Sequence, residues 1–116
     1  MYDVAIAMGY MMLETRHGVE SIDAAGHVLA GYMSELRLPT FDCSVLKECI
    51  CARLGQSVTY GAYSHSLDPT NTYCLNTSTV GWPLLEKLMK MMKQDLYTSW
   101  NAILKSYDIP EMEMLY

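Results

Sequence analysis

Charge is scarce in this chain: only 18% of its residues are Asp, Glu, Lys or Arg, and eight basic residues face thirteen acidic ones. Neutralising phosphates takes a basic face, so a formal net charge of -5 argues against nucleic acid as a partner. A long apolar run is also missing. The stretch from Val4 to Leu13 is about half of the ~20 residues that cross a bilayer, which argues against membrane insertion. Asp3 stands where a secretory leader would carry positive charge, and no small-residue cleavage pattern follows it, so a cytoplasmic location is expected.

Glycine-rich phosphate loops are absent as well. The seven glycines are dispersed, in neither the G-x-x-x-x-G-K-[ST] nor the G-x-G-x-x-G pattern, and no cofactor is expected. The G-x-S-x-G elbow of many acyl-transfer enzymes does not occur. No repeat, linker or low-complexity tract divides the chain, and no motif identifies a known family. Residues 1–116 therefore read as one domain, with 108–116 as a short acidic and apolar tail.

What remains is apolar and helical. The chain is 51% hydrophobic, with ten methionines, and the expected fold class is mainly α: about four helices around one core. A first helix over 3–16 is apolar on nearly every side, which places it centrally or beneath another subunit. A second, Ser21 to Leu36, has Ser21 as its cap and Ile22, Ala25, Leu29, Tyr32, Met33 and Leu36 at helical spacing. Gly26 and Ala30 invite close approach of another helix. A third starts at Asp42 and stops at Gly55, burying Val45, Leu46, Cys49, Ile50 and Leu54 and turning Lys47, Glu48 and Arg53 to water. A last helix, about 83–107, opens with Pro83 in its first turn and buries Leu85, Met89, Met92, Leu96, Trp100, Ile103 and Tyr107.

Between Arg53 and Glu86 helical periodicity gives way to Ser, Thr, Asn and Tyr, with Asp68 the only charge. The 56–79 segment is β-permissive at Ser57 to Tyr63 and Thr72 to Leu75, so it reads either as a short hairpin turning near Asp68-Pro69 or as a long loop.

Two classes of function compete. Tyr, Ser and Asn give contact area and hydrogen bonds without desolvating charge, so the neutral segment reads as a protein-binding surface built on Tyr60, Tyr63, His65 and Tyr73, joined by Met91. The leading expectation is therefore a non-enzymatic interaction module that occludes or bridges another macromolecule, as a phage-type inhibitor of a host system would. The surplus of apolar residues adds self-association, most simply a twofold dimer. The alternative is a small metal-binding or thiol/His-dependent enzyme using Cys43, Cys49, Cys51, Cys74 and His65. Helical geometry counts against a shared ion there, because residues two apart point to nearly opposite sides. No residue is assigned as catalytic or as a metal ligand.

Overall fold

Helix-forming Ala, Met and Leu dominate both ends of the chain, and the computed structural model turns them into five helices: α1 (Tyr2–Leu13), α2 (Ser21–Glu35), α3 (Thr40–Leu67), α4 (Tyr73–Lys90) and α5 (Lys93–Ser106). It describes residues 2–14, 18–70 and 73–113, without the side chains of Tyr2 and of residues 73–78. The fold is mainly α, and among the described residues there is no strand.

Most of the stripe on α2 packs as its spacing predicts, with Ile22, Ala25, Leu29 and Met33 buried and Tyr32 half-buried, but Leu36, just past the helix end, is 60% exposed. The cap differs. Glu20 accepts from the backbone N–H groups of Ile22 and Asp23 at 3.0 and 3.2 Å, and Ser21 is already helical. The close approach expected at Gly26 is real: a Cβ there would lie 2.5 Å from Cδ1 of Ile103 and 3.1 Å from Cδ1 of Trp100, both on α5. Trp100 is wholly buried in that seam, and its Nε1 donates to the carbonyl of Ile22 at 3.0 Å. The Tyr97 ring stacks on it at 5.5 Å.

The hairpin expected in 56–79 does not form; its described residues belong mostly to α3 and α4. Gly55 does not stop α3 either. A glycine ends a helix by adopting a left-handed φ, and among the described glycines only Gly18 does so. The helix continues because Val58 and Gly61 are buried, and tertiary burial outweighs the weak helix propensity of the Ser, Thr and Tyr around them. It ends at Asp68, whose Oδ1 accepts from the N–H and the hydroxyl of Thr70 at 3.2 and 2.6 Å.

The single last helix is two. Pro83 lies inside α4, and the path breaks at Met91-Met92, where Lys47 of α3 donates through Nζ to the Met91 carbonyl at 2.5 Å. Lys93, just beyond, reaches the Ser44 carbonyl at 2.6 Å and pairs with Glu48 at 2.5 Å. Met89 and Met92, expected in the core, are 67% and 65% exposed: the buried face of α4 is set by Gly81, Leu84, Leu85 and Leu88, which leaves Met89 at its margin, and Met92 falls at the break. Tyr107 is exposed too, while Leu96, Trp100 and Leu104 are buried.

One core runs through all five helices: Met8 and Met12 of α1, Leu29 of α2, Leu46, Ile50 and Leu54 of α3, Leu88 of α4 and Leu96 of α5. The segment expected as a tail from 108 is docked through 113. Met112 is buried and donates its N–H to Asn101 Oδ1 at 3.0 Å, while Arg37 donates to the Glu111 carbonyl at 2.8 Å and pairs with Glu113 at 3.6 Å.

Candidate functional site

Because α3 runs unbroken to Leu67, residues distant in kind fall on one side of it. Arg53, Gln56, Tyr60 and Tyr63 are spaced by three and four, so they share a face. Beside that face lies the buried stripe of Leu46, Ile50, Leu54 and Val58. Helix α1 borders both. Gly9 meets the Leu54 side chain, which would sit 3.8 Å from an added Cβ, and Tyr10 reaches over to Arg53.

Arg53 is held from three directions. Its guanidinium carbon lies 5.4 Å from the centroid of the Tyr10 ring, a cation–π distance. Nη2 donates to the Tyr10 hydroxyl, and Nη1 donates to Oε1 of Gln56 at 2.9 Å. Nε is buried and has no hydrogen-bond partner. Every one of these neighbours is neutral. Elsewhere, Arg37, Lys87, Lys90 and Lys93 are each paired with a glutamate, whereas among the described residues Arg53 pairs with no carboxylate. A permanent positive charge is thus held half-buried, with no carboxylate partner among the described residues, in a protein that is acidic as a whole.

Two further surfaces stand apart. His27 of α2 and Tyr107 are joined at 2.8 Å from Nδ1 to Oη with their rings edge to face, beside a groove lined by Gly31, Ser34 and Ile109. On the outer side of α4, Trp82, Leu85 and Met89 line an apolar groove beside the Glu86–Lys90 pair, which closes at 2.7 Å.

The residues singled out from sequence are only partly brought together. Tyr60 and Tyr63 are exposed side by side on the α3 face. His65 is half-buried in the last turn of α3, off that face. Tyr73 begins α4 and Cys74 follows it, and both side chains lie outside the described residues. Met91 is half-buried and packs against the core.

Among the described residues the thiols do not converge. Cys43 is fully buried, and Cys49 and Cys51 are half-buried on different sides of α3. Burial raises the pKa of the Cys43 and Cys51 thiols above the ordinary range, which keeps them protonated and poorly nucleophilic. Among the described residues no three His, Cys, Asp or Glu side chains gather as a metal site would require. The Ser66 hydroxyl donates to the Tyr63 carbonyl at 2.6 Å, and Asp68 is engaged with Thr70.

Sequence reasoning missed Arg53, placing it on a simple water-facing side. The signal that could have found it is the Arg53-x-x-Gln56 spacing continued to Tyr60 and Tyr63, visible only if α3 passes through Gly55. Its pairing with Tyr10 of α1 carries no local signal.

The chain is similar to proteins named hydroxylysine kinase. It is 33% identical over 108 residues to the Mus musculus protein and 34% identical over 108 residues to the Bos taurus protein, in each case across 92% of this chain. The Xenopus laevis protein is 32% identical over 107 residues, or 91% of the chain. This chain spans only 28% of the length of each of these relatives. No family model and no solved structure matches it. The relatives are enzymes by name, which corrects the expectation of a non-enzymatic interaction module or a phage-type inhibitor. The enzyme class is the better reading, although the described residues form neither the metal site nor the reactive thiol expected with it.

Proposed function

We propose that this chain is a helical part of a kinase that transfers a phosphoryl group to hydroxylysine or a close hydroxylated amino acid. The observation that carries this reading is the similarity to three hydroxylysine kinases across more than nine-tenths of the chain. In such a reaction the substrate hydroxyl oxygen bonds to the γ-phosphorus of a nucleoside triphosphate as the bond to the leaving diphosphate breaks. The hydroxyl proton passes to a base. Catalysis is then mainly positioning and charge stabilisation.

This chain has no glycine-rich phosphate loop, and its described residues offer no cluster of carboxylates that would suit the metal ion of a kinase. A loop that wraps the triphosphate and the ligands of its metal ion are therefore assigned to other parts of the enzyme, which leaves this chain room for a single oxyanion contact. The five helices contribute a packed body, and the open face of α3 is a surface that can meet reactants.

The test is direct. The protein that contains this chain, incubated with hydroxylysine and each of the four nucleoside triphosphates, should yield phosphohydroxylysine by mass spectrometry. Lysine, which lacks the hydroxyl, should remain unmodified. No phosphorylated product with any of the four nucleotides would overturn the reading.

A further inference from the structure

We propose that the Tyr10–Arg53–Gln56 cluster on α3 is an oxyanion-binding site for a reactant, taking either the carboxylate of the amino-acid substrate or a phosphate of the nucleotide. The proposal rests on the kinase reading above and deepens it.

Three observations carry it. The first is charge: Arg37, Lys87, Lys90 and Lys93 pair with glutamates and Lys47 donates to the Met91 carbonyl at a helix end, while Lys105 is exposed; Arg53 is half-buried among a phenol, its ring and an amide. An arginine that served only to tie two helices together would gain most from a carboxylate, and the chain has thirteen acidic residues from which one could have been drawn.

The second is preorganisation. The Tyr10 ring lies at cation–π distance from the guanidinium, and the Tyr10 hydroxyl and Gln56 each hold one terminal nitrogen by a hydrogen bond. Much of the entropy of ordering a long side chain has thus been lost before a ligand arrives.

The third is unused donor capacity. A guanidinium has five N–H groups, of which Nη1 and Nη2 each use one, leaving one on each terminal nitrogen for the two oxygens of a carboxylate or phosphate. The side chain is only half-buried, so a ligand can approach it, and the exposed Gln56 and Tyr60 extend the same face.

The experiment uses the protein that contains this chain and three probes: hydroxylysine, the hydroxylated diamine left when its carboxyl group is removed, and the nucleoside triphosphate. KM and equilibrium affinity are measured for each in the wild type, Arg53→Gln and Arg53→Lys, with thermal unfolding of every variant. Losing a charge-assisted, two-point contact should raise the constant for the anionic ligand about 10- to 100-fold. A rise for hydroxylysine with no change for the diamine assigns the site to the carboxylate. A rise confined to the nucleotide assigns it to phosphate. Arg53→Lys should recover little, because an ammonium lacks the planar fork.

Unchanged constants for all three probes in folded Arg53→Gln would overturn the site. So would a uniform loss for all three that follows a lower unfolding temperature, the mark of a clamp between helices only. A wild type that phosphorylates neither amine sinks the kinase reading instead. The binding measurements then judge Arg53 by themselves, with affinities that do not depend on it counting against the site.

Discussion

Two sides of α3, roughly a quarter-turn apart, follow different rules. On one, Leu46, Ile50, Leu54 and Val58 are at most 1% exposed and are interchangeable in chemistry, so volume and shape decide which residue fits. On the other, Arg53, Gln56, Tyr60 and Tyr63 leave most of their surface in water or lean on neutral polar partners. The first side holds the fold and the second is free to do chemistry. A residue's place around the helix therefore says more about its role than its place along the chain.

The sharpest way to break the comparison is to cut into the buried body. Trp100→Ala removes the largest fully buried side chain and its hydrogen bond to Ile22, so denaturant unfolding should show a loss of ~3–5 kcal/mol. A loss below ~1 kcal/mol would mean that the α2–α5 seam is not part of the core. Gly81→Ala tests shape with a single methyl group. Its Cβ would lie 2.4 Å from Cγ1 of Val58, a stiff β-branched neighbour, so a net loss of ~1–3 kcal/mol is expected despite alanine's better helix propensity.

Tyr97→Phe probes a polar contact inside the body. The Tyr97 hydroxyl accepts from the Lys47 N–H at 2.9 Å, and its removal should cost ~1 kcal/mol near neutral pH. Burial raises the Tyr97 pKa well above the ordinary tyrosine value. The unfolded chain therefore releases that proton at lower pH than the native one. This share of stability is complete below the ordinary tyrosine pKa of 10.0 and fades as the pH climbs above it. The difference between wild type and Tyr97→Phe, followed by unfolding from neutral to alkaline pH, should shrink accordingly; a constant difference would contradict it.

The smallest expected effects lie on the open side. Tyr60→Ala and Tyr63→Ala should each change stability by no more than ~0.5 kcal/mol, because rings that are 71% and 61% exposed give up little burial. A loss above ~1 kcal/mol in either would show that the two sides of α3 are not energetically distinct.

The legible parts of the fold were those with strong local periodicity. The α2 stripe, the burial of Leu96 and Trp100 and the close approach at Gly26 follow from spacing and residue size. The illegible parts were those that distant residues decide. Gly55 looks like a stop, but α4 covers the turn beyond it. Met92 continues the stripe of Leu85 on paper, but Lys47, more than forty residues earlier, binds the Met91 carbonyl where the helix breaks, and Met89 loses its place to Leu88 on the face that α4 buries. At the candidate site, Tyr60 and Tyr63 drew notice as uncharged aromatic residues. Arg53 did not, since its Tyr10 partner lies 43 positions away.

The seam between α2 and α5 has a temporal consequence. Trp100 and Ile22 are 78 positions apart, His27 and Tyr107 are 80 apart, and Arg37 and Glu111 are 74 apart. At a ribosomal pace of ~5–20 residues per second, the α5 side of that seam is made roughly 4–16 s after α2 has been made. For that interval Ile22 and Gly26 lack the Trp100 and Ile103 side chains that cover them, while α1 can already pack on α2 and α3 follows partway through. The nascent chain thus passes through a stage in which its first three helices wait, partly wet, for the last.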